Sequence, residues 1–463
     1  MRTMTLNQLE HVVQGYKQGE NVSFDKVSID TRSLKKGDLF IALKGDNFDA
    51  NTFVHQAKDK GAAAVVVNEK VDAEIPSIVV TDSLKALTAL ATAERLKARI
   101  QVLAITGSNG KTSVKEMLAA ILRQAHSVLV TDGNLNNHIG VPLTLLRLRE
   151  EHQIAVIEMG ASHIGEIKHL CEIARPNIAI INNVGAAHLE GFGSLEGIAK
   201  GKGEIISGLP ENGIAILNGD DPWFDLWVVL AGKRPIISFG WSDKDDVWTD
   251  VKSVRSEWSG EQFETHFRLN YRQQSVPVKL NLIGHHSVLN AMAAASASIA
   301  LGVSLAEIAT GLQKLHPVKG RMQPLKGINN SLIINDCYNA NPQSFEVALN
   351  CVLKLKKPVW LVLGDFAELG TDAEKIHQQL GRDIADSTVD KLYTVGDMMR
   401  YTADSFNQLN NAHERKAVHF STKKELLLEM KSSMQAGVLV LIKGSRSQGL
   451  EDVVEQLKLE ECN

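Results

Sequence analysis

The sequence predicts an α/β protein of three domains, the largest built on a doubly wound, mostly parallel sheet. Three observations carry that expectation. Continuous apolar runs at 102–106, 154–158 and 178–182 read as parallel strands buried on both faces, with helical patterns between them. From about 246 to 282 the apolar period falls to two, the mark of a small antiparallel appendage. At 463 residues the chain also exceeds one hydrophobic core, given about 100–200 residues per domain.

In the first domain, placed at 1–82, Thr5 and Gln8 suit a capping box opening a helix with Leu6, Leu9, Val12 and Val13 on one face. Short strands are expected at 26–29, 38–43, 63–67 and 77–80, with a helix at about 50–60. A helical pattern at 84–99, rich in Ala, Leu and Lys, leads into the second domain, placed at 83–316. There the strand at 102–106 precedes a helix at 113–125. In the appendage Phe263, Thr265, Phe267, Leu269 and Tyr271 alternate with polar residues, as do Val276, Val278, Leu280 and Leu282. Five of the six tryptophans lie between Trp223 and Trp258. Core and hairpin packing is their ordinary reading, and a stacking platform for bases or sugars the functional alternative. A helix at 285–300, whose Ala- and Ser-rich part is much shorter than the ~20 residues of a membrane span, reads as buried. The third domain, placed at 317–463, repeats the alternation with strands at 332–335, 359–363, 391–395 and 438–443, and is expected to be Rossmann-like.

Apolar residues make up 44% of the chain and charged residues 22%, ordinary for a globular protein. A formal net charge of -4 with mixed signs argues against a nucleic-acid partner. Cys171, Cys337, Cys351 and Cys462 form no CxxC pair and read as reduced thiols. The first residues lack the apolar core of a signal peptide, so a cytoplasmic protein without a membrane span is expected; a monomer is expected as a separate matter.

The sharpest local signal is Val-Leu-Ala-Ile-Thr-Gly-Ser-Asn-Gly-Lys-Thr at 102–112. A strand, a Gly-rich turn and a helix N-terminus aim backbone N–H groups and the positive end of the helix dipole at an anion. Gly107 and Gly110 allow close backbone approach, Lys111 suits the β- and γ-phosphates of ATP, and Thr112 offers a hydroxyl to Mg²⁺. Only Ser108 and Asn109 separate Gly107 from Gly-Lys-Thr, which departs from the strict Walker pattern and counts against a motor, helicase or GTPase. A purely structural turn would have no use for Lys111.

Thr-Gly-Ser-Asn-Gly-Lys-Thr-Ser at 106–113 resembles the phosphate loop of the Mur ligase family, and further motifs of that family follow in order. They are Asn-Leu-Asn-Asn-His-Ile-Gly-Val-Pro-Leu-Thr at 134–144, Ile-Glu-Met-Gly at 157–160, Asn-Asn-Val-Gly-Ala-Ala-His-Leu-Glu at 182–190 and Ala-Lys-Gly-Lys-Gly-Glu at 199–204. Gly-His-His-Ser-Val-Leu-Asn-Ala at 284–291, Gly320-Arg321 and Asn-Asp-Cys-Tyr-Asn-Ala-Asn-Pro-Gln-Ser at 335–344 complete the nucleotide-site set. Tyr-Asn-Ala-Asn-Pro at 338–342 looks like the branch that adds the dipeptide D-alanyl-D-alanine, not a single amino acid. Gly-Asp-Phe-Ala-Glu-Leu-Gly at 364–370 and Lys-Gly-Ser-Arg at 443–446 point the same way. Residues 40–53 resemble the family's UDP-sugar loop, with Ala50-Asn51 where Gly-His is commoner and Asp30-Thr31-Arg32 where Asp-Ser-Arg is usual.

The resemblance implies an ATP-dependent amide ligase. A first domain would bind a UDP-sugar peptide, the second ATP, and the third ATP together with D-Ala-D-Ala. It implies that ATP phosphorylates the terminal carboxylate of UDP-N-acetylmuramoyl-tripeptide, and that the amine of D-Ala-D-Ala attacks the acyl phosphate through a tetrahedral intermediate. Carried over residue by residue, it gives the loop Thr106, Gly107, Ser108, Asn109, Gly110, Lys111, Thr112 and Ser113, with Asn183, His286, Asn290, Arg321 and Asp336, to ATP. Ser28, Asp30, Arg32, Lys44, Gly45, Phe48 and Asp49 would hold the UDP-sugar. Asn136, Asn137, Tyr338, Asn339, Asn341 and Arg446 would complete the substrate site.

Thr112, Glu158, His188 and Lys202 would serve two Mg²⁺ ions, with Lys111, Glu158, His188 and Lys202 as the catalytic set. Mg²⁺ prefers oxygen, so His188 rests on the resemblance alone. A lysine in the 199–204 segment would be carbamylated. Lys200 and Lys202 do not share a helix face, so only one enters the site; counted from His188, the resemblance puts Lys202 at the family's position, with Lys200 as the alternative. The ordinary alternatives are two solvated lysines, a strand-end carboxylate at Glu158, a helix-capping role near His286 and Asn290, and turn residues at Asn339 and Asn341 before Pro342.

Rival readings are a sister ligase, such as a single-amino-acid Mur ligase or a folylpolyglutamate synthetase, and a P-loop kinase or NTPase that needs no amine. A non-catalytic nucleotide-binding module gives Lys111, Glu158, His188 and Lys202 no reason to occur together.

Overall fold

Thr5 opens the first helix as expected. Its hydroxyl accepts from Gln8 N at 3.3 Å and Gln8 Oε1 accepts from Thr5 N at 2.9 Å, so the capping box closes over the helix Leu6–Val13. These coordinates are a computed structural model, which describes residues 1–45, 48–71, 74–185, 189–260, 262–410 and 415–459. Beyond this helix lies a five-stranded sheet in the order Tyr16–Gln18, Ser77–Val79, Ala64–Val67, Leu39–Ile41, Val27–Ser28. Only its first pair is antiparallel. The helix expected at 50–60 begins as a 3₁₀ turn, Ala50–Phe53, before Val54–Asp59, because Asp49 caps it through Asn51 N.

Asp82 caps the long helix Ser83–Lys97, accepting from Leu84 N and Lys85 N at 2.9 and 3.0 Å. This helix packs on Leu6–Val13 and on the central helices Gly140–Leu145 and Glu166–Ala174. Leu6, Leu9, Leu87, Leu90, Val141 and Ile167 therefore share one apolar cluster, which joins the first two domains.

The central sheet has ten strands. Val128–Val130, Ile154–Glu158, Gln101–Thr106, Ile178–Ile181, Ile214–Asn218, Ile236–Gly240 and Val247–Trp248 run parallel in that order. The antiparallel strands Arg255–Trp258, Phe263–Tyr271 and Gln274–Leu280 extend the same sheet past Val247–Trp248 and form no separate layer. Strand residues such as Ile105, Val156 and Ile180 are fully buried, each contributing about 1.5–3 kcal/mol by leaving water. The helix Lys111–Leu122 begins two residues earlier than the pattern predicts, since Gly110 is its N-cap and Gly-Lys-Thr lies inside the first turn. His285–Ala300 packs on it, its small side chains allowing close approach. Ser296 and Ser298 in that buried helix bond back to Met292 O and Ala294 O at 2.8 Å.

The tryptophans serve packing. Trp227 is fully buried and donates to Ala199 O at 3.1 Å, while Trp258 meets Phe263 edge-on at 5.0 Å. The third sheet runs Gln323–Gly327, Ser331–Asp336, Leu439–Lys443, Val359–Gly364, Lys391–Val395, Lys416–Phe420, parallel after an antiparallel first pair. Phe263 and Ile283 of the second domain sit in the third domain's core with Phe345 and Val352. Cys171, Cys337 and Cys351 are free thiols in buried positions, and Cys462 lies outside the described residues.

Candidate active site

The parallel strands of the second domain end at one edge, where loops collect polar residues. Gln101–Thr106 leads into the phosphate loop, Ile154–Glu158 ends on Glu158, and Ile178–Ile181 leads to Asn182 and Asn183. Opposite stand Arg321, Asp336, Tyr338 and Arg446 of the third domain. Between them opens a cleft of about 1420 Å³. Of the expected residues it is lined by Ser108, Asn109, Gly110, Lys111, Thr112, Ser113, Asn136, Asn137, Glu158, Asn183, His286 and Asn290 from one side. Arg321, Asp336, Tyr338, Asn339, Asn341 and Arg446 line it from the other.

Gly110 has φ +80° and precedes the first turn without a side-chain cap, so that turn's N–H groups are left for an anion. A Cβ at Gly110 would collide with Asn182 Nδ2 and Asn290 Oδ1, so the loop needs glycine for space as well as for φ. Lys111 folds back onto the loop, donating to Gly107 O at 2.8 Å. Burial pushes its pKa down, and Glu158 opposes that shift. Thr106 and Gly107 lie behind the loop, with the Thr106 hydroxyl buried and unpartnered among the described residues.

Glu158 is buried and held at both oxygens. Thr112 donates to Oε2 at 3.1 Å and Asn136 Nδ2 to Oε1 at 2.7 Å. Arg321 reaches Thr112 Oγ1 at 3.4 Å across the cleft and lies 4.1 Å from the Tyr338 ring centroid. Its Nε is buried without a partner among the described residues, an orphan donor suited to an anionic ligand. Arg446 lies 5.5 Å from the same centroid and pairs with Glu451. Asp336 is occupied by Lys443 at 2.6 Å and accepts from Met322 N at 3.0 Å.

The helix Leu195–Ser207 separates the two lysines as its geometry demands. Lys200 is 56% exposed and pairs with Glu196 at 2.7 Å, while Lys202 is buried, 5.9 Å from the centroid of Phe192. Lys202 has no hydrogen bond or ion pair among the described residues, and burial followed by the charge of Lys111 drives its pKa well down. His188 lies outside the described residues. The oxygens of Glu158 and Thr112 fit a hard divalent cation. The Lys202 amine would fit one only as a carbamate.

No side chain caps His285–Ala300, so His286 is free of a capping role. Its Nε2 lies 3.3 Å from Ser287 Oγ and its Nδ1 4.0 Å from Cys351 Sγ, and burial lowers its pKa to about 4. Asn290 accepts from Asn182 Nδ2 at 2.8 Å beneath the loop. Asn137 Oδ1 accepts from Ile139 N and Gly140 N at 3.1 and 2.9 Å in the turn that leads into the helix Gly140–Leu145. Asn341 caps Pro342–Leu353, and Asn339 Oδ1 accepts from Ala340 N at 2.9 Å.

The remaining expected residues are elsewhere. None of the first domain's described residues lines the cleft. Arg32 grips Asp30 with Nη2–Oδ2 at 2.7 Å and Nε–Oδ1 at 3.0 Å, and Ser28 Oγ donates to Asp30 O at 2.9 Å. Lys44 pairs with Asp49 at 3.1 Å beside Gly45, and exposed Phe48 stacks on Phe53 at 5.8 Å. Asn51 is buried, donating to Asp49 Oδ1 at 2.6 Å and accepting from Asn68 N at 3.2 Å, which explains an amide at that position. The sequence motifs contain Asn182 and Gln343 without assigning them a role, and sequence reasoning missed Asp220 and Asp221. The two aspartates follow the strand Ile214–Asn218 at the same sheet edge, a positional signal that strand order would have supplied.

A phosphate loop faced by arginines from a second α/β unit defines a nucleotide-dependent enzyme closed between domains, and the sequence comparisons identify its kind. Residues 23–124 match the Mur ligase family catalytic domain, 105–298 the Mur ligase middle domain and 320–446 the Mur ligase glutamate ligase domain. The chain belongs to the Mur ligase family. It is 42% identical over 460 residues, 99% of each chain, to the UDP-N-acetylmuramoyl-tripeptide–D-alanyl-D-alanine ligase of Escherichia coli. It is 36% identical over 461 residues, 98% of each chain, to the same ligase of Bacillus subtilis. The crystal structure of MurF from Acinetobacter baumannii superposes with a TM-score of 0.89 at 36% identity over 98% of each chain. MurF ligase from Thermotoga maritima, in complex with ADP, gives 0.80 at 29% identity over 93% of this chain and 96% of that one.

Proposed function

We propose that this chain is an ATP-dependent ligase that joins D-alanyl-D-alanine to UDP-N-acetylmuramoyl-tripeptide in peptidoglycan synthesis. The observation that carries the reading is the chain Glu158–Thr112–Arg321, which links the phosphate-loop edge to the third domain across one cleft. Full-length identity to ligases of that name supports it.

The chemistry must bring a carboxylate to a triphosphate, so cations must offset repulsion along the line of transfer. The first-turn amides of Lys111–Leu122 and the Lys111 ammonium hold the β- and γ-phosphates. Arg321, steadied by Tyr338, approaches the same phosphates from the third domain. Glu158, oriented by Asn136 and Thr112, together with Thr112, His188 and Lys202 as a carbamate, would hold Mg²⁺, which supplies charge neutralisation at the transferring phosphate. His286 would border the adenine and Asp336 the ribose, while Asn290 and Asn183 support the phosphate loop from below.

The tripeptide carboxylate oxygen bonds to the γ-phosphorus as the bond to the ADP oxygen breaks. The dipeptide amine then adds to the acyl carbon and loses a proton, and the C–O bond to phosphate breaks. Arg446, Asn339 and Asn341 would hold the dipeptide and its carboxylate. Ser28, Asp30, Arg32, Lys44, Gly45, Phe48 and Asp49 hold the UDP-sugar in a first domain ending at residue 82. The second domain ends at residue 316, and the enzyme works in the cytoplasm for wall growth, cell shape and division.

Phosphate release with the UDP-tripeptide, offered D-Ala-D-Ala, D-Ala or L-Glu separately, tests the reading. Release and a dipeptide-sized mass gain with D-Ala-D-Ala alone is expected. Release without any amine would make the chain an NTPase or kinase, and silence with all three would point to a sister ligase.

A further inference from the structure

Besides the Arg321–Thr112 contact, the third domain grips the phosphate loop at the Asn109 side chain. Asn341 Nδ2 donates to Asn109 Oδ1 at 3.1 Å, and Asn109 Nδ2 donates to Gln343 Oε1 at 3.3 Å. The helix Pro342–Leu353 fixes the direction of both bonds. Asn341 is its N-cap, and Asn341 Oδ1 accepts from Ser344 N at 2.8 Å. Only Nδ2 of Asn341 remains to face the loop. Asn109 therefore turns its oxygen to Asn341 and its amide donor to Gln343.

The main chain of Asn109 is held from the opposite side. Its N–H donates to Asn183 Oδ1 at 2.9 Å, and its carbonyl accepts from Asn182 Nδ2 at 2.9 Å and Asn183 Nδ2 at 3.1 Å. Gln343 also covers Gly185, where a Cβ would collide with Oε1. Ser108 and Gly185 tie that segment back to the loop through Ser108 Oγ, 2.9 Å from both Gly185 N and Gly185 O. One residue of the loop thus carries hydrogen bonds from both domains at once.

We propose that Gln343 is a positioning residue that couples seating of the third domain to the shape of the phosphate loop, with Asn341 as the other jaw of the clasp. The coupling rests on the reading of the cleft as an ATP site. Seating the third domain fixes Asn109, and a fixed Asn109 holds the loop amides ready for phosphate. The loop is then set for ATP only when the domain that excludes water is in place.

The test uses Gln343→Leu, Asn109→Ala and the double variant in the full chain, with thermal unfolding as the check on folding. Gln343→Leu keeps bulk over Gly185 and cannot accept a hydrogen bond. It should raise KM for ATP roughly threefold to tenfold with KM for the UDP-tripeptide unchanged. The double variant should be no worse than Asn109→Ala. Additive losses, equal changes in both KM values, or wild-type kinetics in Gln343→Leu would overturn the coupling alone. A wild-type chain that releases no phosphate from ATP would overturn the ligase reading and the coupling with it.

Discussion

Asp336 and Lys443 face each other on adjacent parallel strands, and their carboxylate and ammonium meet at 2.6 Å. Both are buried, and the ammonium also donates to Asn339 O at 3.0 Å. The pair fixes the floor on which Tyr338 and Asn339 stand. Lys443→Met should leave the Asp336 carboxylate buried without its partner and cost about 3–5 kcal/mol of stability. Denaturant titration should show it as a lowered midpoint with little change in slope.

Glu158 has no freedom to turn, since each of its oxygens is held. Glu158→Gln should keep the fold while turnover drops about a hundredfold or more, as several kcal/mol of transition-state stabilisation are lost. A Mg²⁺ titration of initial rates should show the apparent metal requirement rising. An unchanged Mg²⁺ dependence would remove Glu158 from the metal site.

Lys202 and Lys200 should part company experimentally. The unfolded lysine keeps its proton to about pH 10.4. The folded Lys202 pKa is driven well below that. Its penalty on folding is full below the folded pKa and fades as pH rises toward the unfolded value. Lys202→Met should therefore raise Tm by a few degrees at pH 7 in CO₂-depleted buffer while abolishing turnover. Bicarbonate should stimulate the wild type, and short carboxylic acids should rescue Lys202→Ala. Lys200→Met, on the exposed face, should match the wild type in both assays. Full turnover in Lys202→Ala would sink the carbamate.

His286 should stay neutral in the working enzyme. Burial lowers its pKa from the ordinary 6.5 to about 4. For a base held low in the fold, the unfolded chain binds the extra proton first. The His286 contribution is thus fully present above 6.5 and is lost as pH falls toward 4, by about 3 kcal/mol in all. Calorimetry of His286→Asn between those pH values should give a flatter stability curve than the wild type.

Some of this was open to reading from sequence because it is local. The strand, turn and Gly-Lys-Thr predict the phosphate loop, and helix periodicity alone separates Lys202 from Lys200. Thr5 and Gln8 announce their helix through three residues of spacing. The rest depends on contacts across long separations. Asn109 meets Gln343 234 residues away, and Lys443 meets Asp336 107 residues away. An amide or ammonium in a linear sequence does not reveal which distant group will need it. Gln343 lies in the 335–344 motif, but nothing in the sequence shows that its amide meets Asn109.

Gly110 has a consequence for inhibitors. With a left-handed φ and two side-chain amides filling the space a Cβ would need, the position accepts no side chain. A compound that takes its affinity from the backbone at Gly110 would meet a surface that point substitution cannot alter without losing the loop itself. Resistance would have to arise away from the loop, at cleft residues that touch neither nucleotide nor substrate.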